Sequence, residues 1–144
     1  MEKIILLVPL VPLLSAVLIQ LLSATMGRRI ARISVTATLL TFLLAVATLW
    51  HALSAGGSHL VTLYDAPALL LLDPLSTLMA TVIAGISLIV HVYSQRYMAE
   101  EAGYARFFVL LDLMTAALLV MVAAGDLLTL LIAWHLVGVL LYFL

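Results

Sequence analysis

Asp112, His135 and His91 are titratable side chains set inside long apolar runs: Asp112 in FFVLLDLMTAALLV, His135 directly after Trp134 in LLTLLIAWHLVGVLLYFL, and His91 in MATVIAGISLIVHVYSQRY. In hydrocarbon a carboxylate costs at least about 2.5–3.5 kcal/mol unless it is paired, hydrated or protonated. An imidazole in the same place either has a partner in the protein interior or passes protons, since it changes charge close to physiological pH. The chemistry these types permit is proton carriage across a membrane, with Asp112, His135 and His91 as the candidate pathway. The structural alternatives are plain: Asp112 held by Thr115 or by a neighbouring helix, and a neutral imidazole bonded to a carbonyl.

Depth can be estimated from helical rise. Asp112 lies eight residues into a span entering from one surface, and His135 eight residues into the next span entering from the other. At 1.5 Å per residue each is about 12 Å from its own surface, roughly 6 Å apart along a membrane normal of about 30 Å. Both therefore belong near the midplane. His91, near the end of its span, differs from His135 by about 12 Å on the same arithmetic. Two axial haem ligands need nearly one level, so neither a haem between these histidines nor another cofactor is expected.

Other polar residues carry less. Glu100, Glu101 and Arg106 sit in the connector SQRYMAEEAGYAR, as a solvated face or as a docking point for a partner. His51 and His59 fall near a membrane surface and receive no role. Ala80, Ala84, Gly85 and Ser87 allow close helix packing in lipid. There is no Gly-rich phosphate loop, no His/Asp cluster with metal-ligand spacing and no nucleophile beside a base, so no metal and no catalysis by this chain alone are expected.

The elements that must position these residues follow from composition. Of 144 residues, 67% are hydrophobic and 9% charged, and mean hydropathy is +1.34. A soluble domain of this size needs far more polar surface, whereas a bilayer accepts apolar side chains on the outside of a bundle. A formal charge of −1 gives no field to attract nucleic acid. Cysteine is absent, which removes disulfides, thiolate catalysis and iron–sulfur clusters.

The fold class expected is an all-α integral membrane protein forming one transmembrane domain over residues 1–144, with spans near 4–24, 33–53, 75–93, 104–124 and 127–144. The first is longer than the roughly 7–15 apolar residues of a signal peptide, so it reads as a retained helix, loosened by Pro9 and Pro12. Trp50 reads as an interfacial anchor. Between the second and third spans, Val61, Leu63 and 69–72 flank Tyr-Asp-Ala-Pro and suggest a short surface β-hairpin. Asp73-Pro74 is a helix-start signature, and Gly125-Asp126 makes a tight turn with Asp126 as N-cap. The fifth span is still apolar at Leu144, so the expectation is that the natural protein continues into a larger bundle.

Five of the six basic residues, Arg28, Arg29, Arg32, Arg96 and Arg106, fall in the first and third connectors. By the positive-inside rule those connectors are cytoplasmic and the N-terminus and hairpin face outward. The expected location is the cell inner membrane.

LDPLSTLMATVIAGISLIVHVYSQRYMAEEAGYARFFVLLDLM, followed by GDLLTLLIAWHLVG, resembles the antiporter-like membrane subunits: chain 5 (subunit L) of respiratory complex I, the large subunit of Mrp sodium/proton antiporters, and the membrane subunit of Dab inorganic-carbon accumulation complexes. The matching positions are Asp73, Leu75, Ser76, His91, Tyr93, Ser94, Tyr97, Met98, Tyr104, Arg106, Phe107, Phe108, Trp134 and Gly138. The resemblance implies the first part of a subunit of about fourteen helices, in which a glutamate on the fifth pairs with a lysine on the seventh to open a hydrated proton path. His135 stands where that glutamate belongs. A histidine cannot be the anion of such a pair, which points the resemblance toward a divergent, Dab-type subunit. It then implies a proton-motive chain driving inorganic carbon uptake beside a soluble, zinc-dependent carbonic-anhydrase-like partner. The competing class is a membrane anchor that docks a soluble catalytic subunit through the 100–106 connector.

Overall fold

The computed structural model describes residues 4–55, 59–61 and 70–144. Five helices account for most of it: α1 Ile4–Met26, α2 Ile30–Ala55, α3 Pro74–Tyr97, α4 Tyr104–Val122 and α5 Leu127–Phe143. A 3-10 turn, Gly27–Arg29, joins the first two. Strands β1 His59–Val61 and β2 Leu70–Leu72 pair antiparallel, His59 opposite Leu72 and Val61 opposite Leu70. The hairpin expected from the sequence is therefore present at its two arms, and its turn, with Leu63, lies outside the described residues.

The first four helices form a ring, each packed against the next and α4 closing on α1, while α5 lies outside the ring against α4. All four are long and apolar enough to cross a membrane. At 17 residues, α5 spans about 26 Å, the short end of what crosses a hydrocarbon core. The chain is an all-α integral membrane bundle.

Lipid tails are as apolar as leucine, so close backbone approach and interhelical hydrogen bonds hold such a bundle together. Small residues make that approach possible. On α2, Ser34, Thr38, Thr41, Ala45, Thr48 and Ala52 recur every three or four residues and are buried, and on α3 so do Thr77, Ala80, Ala84, Ser87, His91 and Ser94. Hydroxyls on both stripes are satisfied by their own helix, Thr38 donating to the Ser34 carbonyl at 2.8 Å and Thr77 to that of Asp73 at 2.9 Å, and beside them Thr81 reaches across from α3 to the Ala45 carbonyl of α2 at 3.2 Å. The long leucines point outward, where acyl chains take them. Pro9 and Pro12 both lie inside an unbroken α1; a membrane helix tolerates the missing donors because neighbours resatisfy the freed carbonyls.

Caps fix the ends near the hairpin. Asp73 accepts from Ser76 N at 2.7 Å while Ser76 Oγ accepts from Asp73 N at 3.1 Å, a reciprocal capping box with Pro74 in the first turn. Asp126 accepts from Thr129 N at 2.6 Å, and the Thr129 hydroxyl and amide together hold its carboxyl below the ordinary aspartate value. Leu71 N donates to Ala123 O at 2.7 Å and Leu70 bridges Ala124. The hairpin is thus stitched to the turn between α4 and α5. At the opposite end α4 starts from Gly103, whose φ of 97° suits a residue without Cβ.

Several boundaries differ from the sequence expectation, each for a local reason. α2 starts at Ile30 instead of 33 because three residues suffice for the turn, and Arg32 stays exposed on the helix flank, its long stem reaching for the surface. α3 runs to Tyr97 instead of 93, with Arg96 in its last turn favoured by the helix dipole. α4 ends at Val122 instead of 124 because Ala123 and Ala124 give their backbones to β2. α1 reaches Met26, α2 reaches Ala55, and α5 closes at Phe143.

Candidate functional site: a buried histidine–aspartate centre

Asp112 is completely buried and is hydrogen-bonded to three other helices. Ser15 Oγ of α1 donates to Oδ2 at 2.7 Å, Ser34 Oγ of α2 donates to Oδ1 at 2.9 Å, and His91 Nε2 of α3 lies 2.9 Å from Oδ1. His91 is equally buried. Its other nitrogen, Nδ1, is 2.7 Å from the Ser87 carbonyl and 3.3 Å from Ser87 Oγ. Ser87 Oγ is 2.6 Å from Thr115 Oγ1, which donates to the Leu111 carbonyl at 2.8 Å. Among the described residues no buried side-chain nitrogen or oxygen lacks a partner.

Counting protons defines what this centre is. A carbonyl only accepts, so Nδ1 carries a hydrogen. Thr115 spends its proton on Leu111, so Ser87 is the donor between the two hydroxyls. One proton then lies between Nε2 and Oδ1: on nitrogen it makes imidazolium and carboxylate, on oxygen neutral imidazole and carboxylic acid. Both arrangements sum to zero charge, which is how two titratable groups can be tolerated so deep in lipid. Removing either partner would leave the other stranded.

Helix phase explains the pairing. Phe108, Asp112, Thr115 and Leu119 share the inward face of α4, and His91 falls on the inward stripe of α3 with Ser87 and Ser94. Apolar layers close the centre off at both ends. Ile19, Ile30, Ala31 and Phe108 cluster toward the arginine-bearing end, Phe108 standing 6.2 Å from the His91 ring between centroids. Val8, Ala45, Ala80, Ala84 and Leu119 cluster toward the hairpin end.

His135 is placed elsewhere. The buried positions of α5 are Ala133 and Leu140; His135, two residues past Ala133, is about 200° round the helix and exposed on the outer face. Its Nδ1–H donates to Leu131 O at 2.8 Å. It borders an open groove of about 580 Å³ with Trp134, Gly138, Val139, Tyr142 and Phe143. Level along the membrane normal leaves rotation open, and rotation makes His91 the partner of Asp112 while His135 faces away. Glu100, Glu101 and Arg106 are exposed in and just after the turn before α4, with no ion pair between them. Ser15 and Ser34 were not singled out from the sequence, although both lie on the inward stripes of their helices. No group of three or more metal-ligating side chains occurs among the described residues.

The arrangement is a membrane helix bundle that encloses an electroneutral, proton-sharing pair. Comparison with known proteins narrows the class. Residues 60–108 match the family model for the N-terminus of chain 5 of NADH-ubiquinone oxidoreductase, complex I. Over 96% of its length the chain is 56% identical to the "Probable inorganic carbon transporter subunit DabB1" of Halothiobacillus neapolitanus, covering 25% of that protein. It is 34% identical over 95% of its length to the chloroplastic NAD(P)H-quinone oxidoreductase subunit 5 of Zygnema circumcarinatum, covering 22% of it. Over 52% of its length it is 40% identical to NADH-quinone oxidoreductase subunit L of Escherichia coli, covering 12% of that chain. Nearly the whole chain is thus similar to antiporter-like membrane subunits, and it spans at most about a quarter of the length of these relatives.

Proposed function

We propose that the chain is part of a proton- or cation-translocating membrane subunit in a multi-subunit complex, of the Dab type, in which the proton-motive force energises uptake of carbon dioxide or bicarbonate. The observation that carries the translocation reading is the His91–Asp112 pair: a fully buried unit that holds one shared proton and changes net charge only when a proton is gained or lost. The higher identity to the inorganic carbon transporter subunit, 56% against 34% and 40% to the two quinone oxidoreductase chains named above, supports the Dab type over a subunit L-like pump. The complex would lie in the cell inner membrane with the N-terminus outside, as the arginine distribution argues, beside a soluble zinc-dependent carbonic-anhydrase-like subunit. His135 belongs to the same path in this reading. Its Nε2 needs a donor that α5 does not supply, since a lone acceptor in hydrocarbon is costly, and a further helix seated in the groove beside Gly138 would bring one.

The test is bicarbonate uptake by the assembled complex in a host that lacks its own uptake system, with and without a protonophore. Parent uptake should collapse with the protonophore. Asp112→Asn and His135→Ala should abolish uptake while the complex still purifies intact. Full uptake by both variants would remove translocation through these residues. Release of the soluble subunit on changing Glu100, Glu101 and Arg106, with Asp112→Asn silent, would favour the anchor reading.

A further inference from the structure

The last three turns of α3 carry an outward face that has no part in the buried centre. Ile86 and Ile89 are exposed along it, then Tyr93 at 66% and Tyr97 at 69%, with Arg96 between the tyrosines. The two phenol rings stack, centroids 5.7 Å apart and planes 21° from parallel. With Val92 and Gln95 they line an open groove of about 690 Å³. Among the described residues no carboxylate pairs with the Arg96 guanidinium.

Read along the helix, the face changes from aliphatic to aromatic to cationic within about 15 Å. That is the polarity profile of a phospholipid lying parallel to it. Aliphatic residues take acyl chains, stacked tyrosines sit at headgroup level with their hydroxyls toward water, and a guanidinium grips phosphate oxygens in a planar fork. The end is also the electropositive one, with Arg29, Arg32 and Arg106 exposed on the neighbouring elements. An acidic peptide would use the cation but not the aliphatic approach, and a free phosphate would use neither ring.

We propose that the groove formed by Val92, Tyr93, Gln95, Arg96 and Tyr97 is a binding site for one anionic phospholipid, its phosphate on Arg96 and its acyl chain along Ile89 and Ile86. The site is independent of proton transfer at His91 and Asp112.

The experiment is native mass spectrometry of the full chain released from nanodiscs of phosphatidylglycerol or of phosphatidylcholine. The parent should retain one phosphatidylglycerol and discriminate against phosphatidylcholine. One guanidinium at a membrane surface contributes about 1 kcal/mol, so Arg96→Ala should lower retention on the order of fivefold. Tyr93→Ala should lower it as well. Arg106→Ala, which removes the same charge from the same end, should leave it unchanged. Equal loss in Arg96→Ala and Arg106→Ala would mean a diffuse field and overturn the site, as would equal retention of both lipids. Displacement of the lipid by inorganic phosphate alone would overturn the lipid as occupant. Thermal unfolding of each variant in detergent identifies any that lose lipid only because the fold is lost, and Arg96→Lys then keeps the test open, since it preserves the charge but not the fork.

Discussion

Replacing Asp112 with asparagine separates the electrical role of the carboxylate from its role as a hydrogen-bond hub. The amide can satisfy the same neighbours. Turned so that its nitrogen faces Ser34 and His91, it donates to the Nε2 lone pair of a neutral imidazole and to Ser34 Oγ, whose own proton turns to a carbonyl one turn back on α2, while its oxygen accepts from Ser15, at contacts now 2.7–2.9 Å long. Since no partner is orphaned and volume is conserved, the stability change should stay within about 1 kcal/mol. Asp112→Ala is a different perturbation. It strands Ser15, Ser34 and His91 and opens a void in a closed interior, and breaking a buried pair from one side costs about 3–5 kcal/mol. Both variants remove the shared proton, so both should stop proton flux. Unfolding free energy in bicelles and quenching of a pH-sensitive dye in proteoliposomes holding the complex read the two quantities separately. Asparagine as destabilising as alanine would refute the hub geometry, and flux surviving in the asparagine variant would refute the proton assignment.

Three further outcomes follow. Ser15→Ala and Ser34→Ala should each cost about 0.6–1.7 kcal/mol, the range for interhelical hydrogen bonds in a membrane, and a double-mutant cycle of either with Asp112→Ala, which removes the shared acceptor, should show coupling. His135→Leu should leave the unfolding free energy of this chain within about 0.5 kcal/mol, as for other exposed positions, so a loss of flux in the assembled complex would report on contacts made outside α1–α5. Asp126 has a lowered folded-state value against the ordinary 3.8, so its support of α5 is fully present above 3.8 and fades as pH falls through the lowered value. Hydrogen exchange at Leu128 and Thr129 should therefore speed up, relative to the intrinsic rate, only in strongly acid buffer, and Asp126→Asn should flatten that response.

Much of the bundle was legible because lipid imposes a simple rule: each crossing must be apolar and about 20 residues long. Asp73-Pro74 and Asp126 marked helix starts through capping chemistry that depends on nearest neighbours alone. The centre was only half legible. Asp112 stood out by charge, and its possible partner on another helix was open from the start, but nothing local says which helix. The missing information was rotational. Spacings of three and four on α3 put His91 in phase with Ser87 and Ser94, and the same count on α5 puts His135 out of phase with Ala133; applied to the histidines, that count favours His91 over His135. Ser15 and Ser34 were beyond such a count, since an isolated serine in a membrane helix bonds as readily to its own backbone as across a gap.

The neutrality of the His91–Asp112 pair bears on how it answers voltage. A whole charge crossing the membrane at 100 mV gains about 2.3 kcal/mol, but shifting the proton between two atoms 2.9 Å apart samples at most about a tenth of a 30 Å dielectric, or about 0.2 kcal/mol. That is below thermal energy. At rest the pair is blind to the membrane potential, and under the proposed translocation the potential would act on it only once a further proton had arrived or left, so supply from the aqueous sides, rather than the field, would set when the centre changes state.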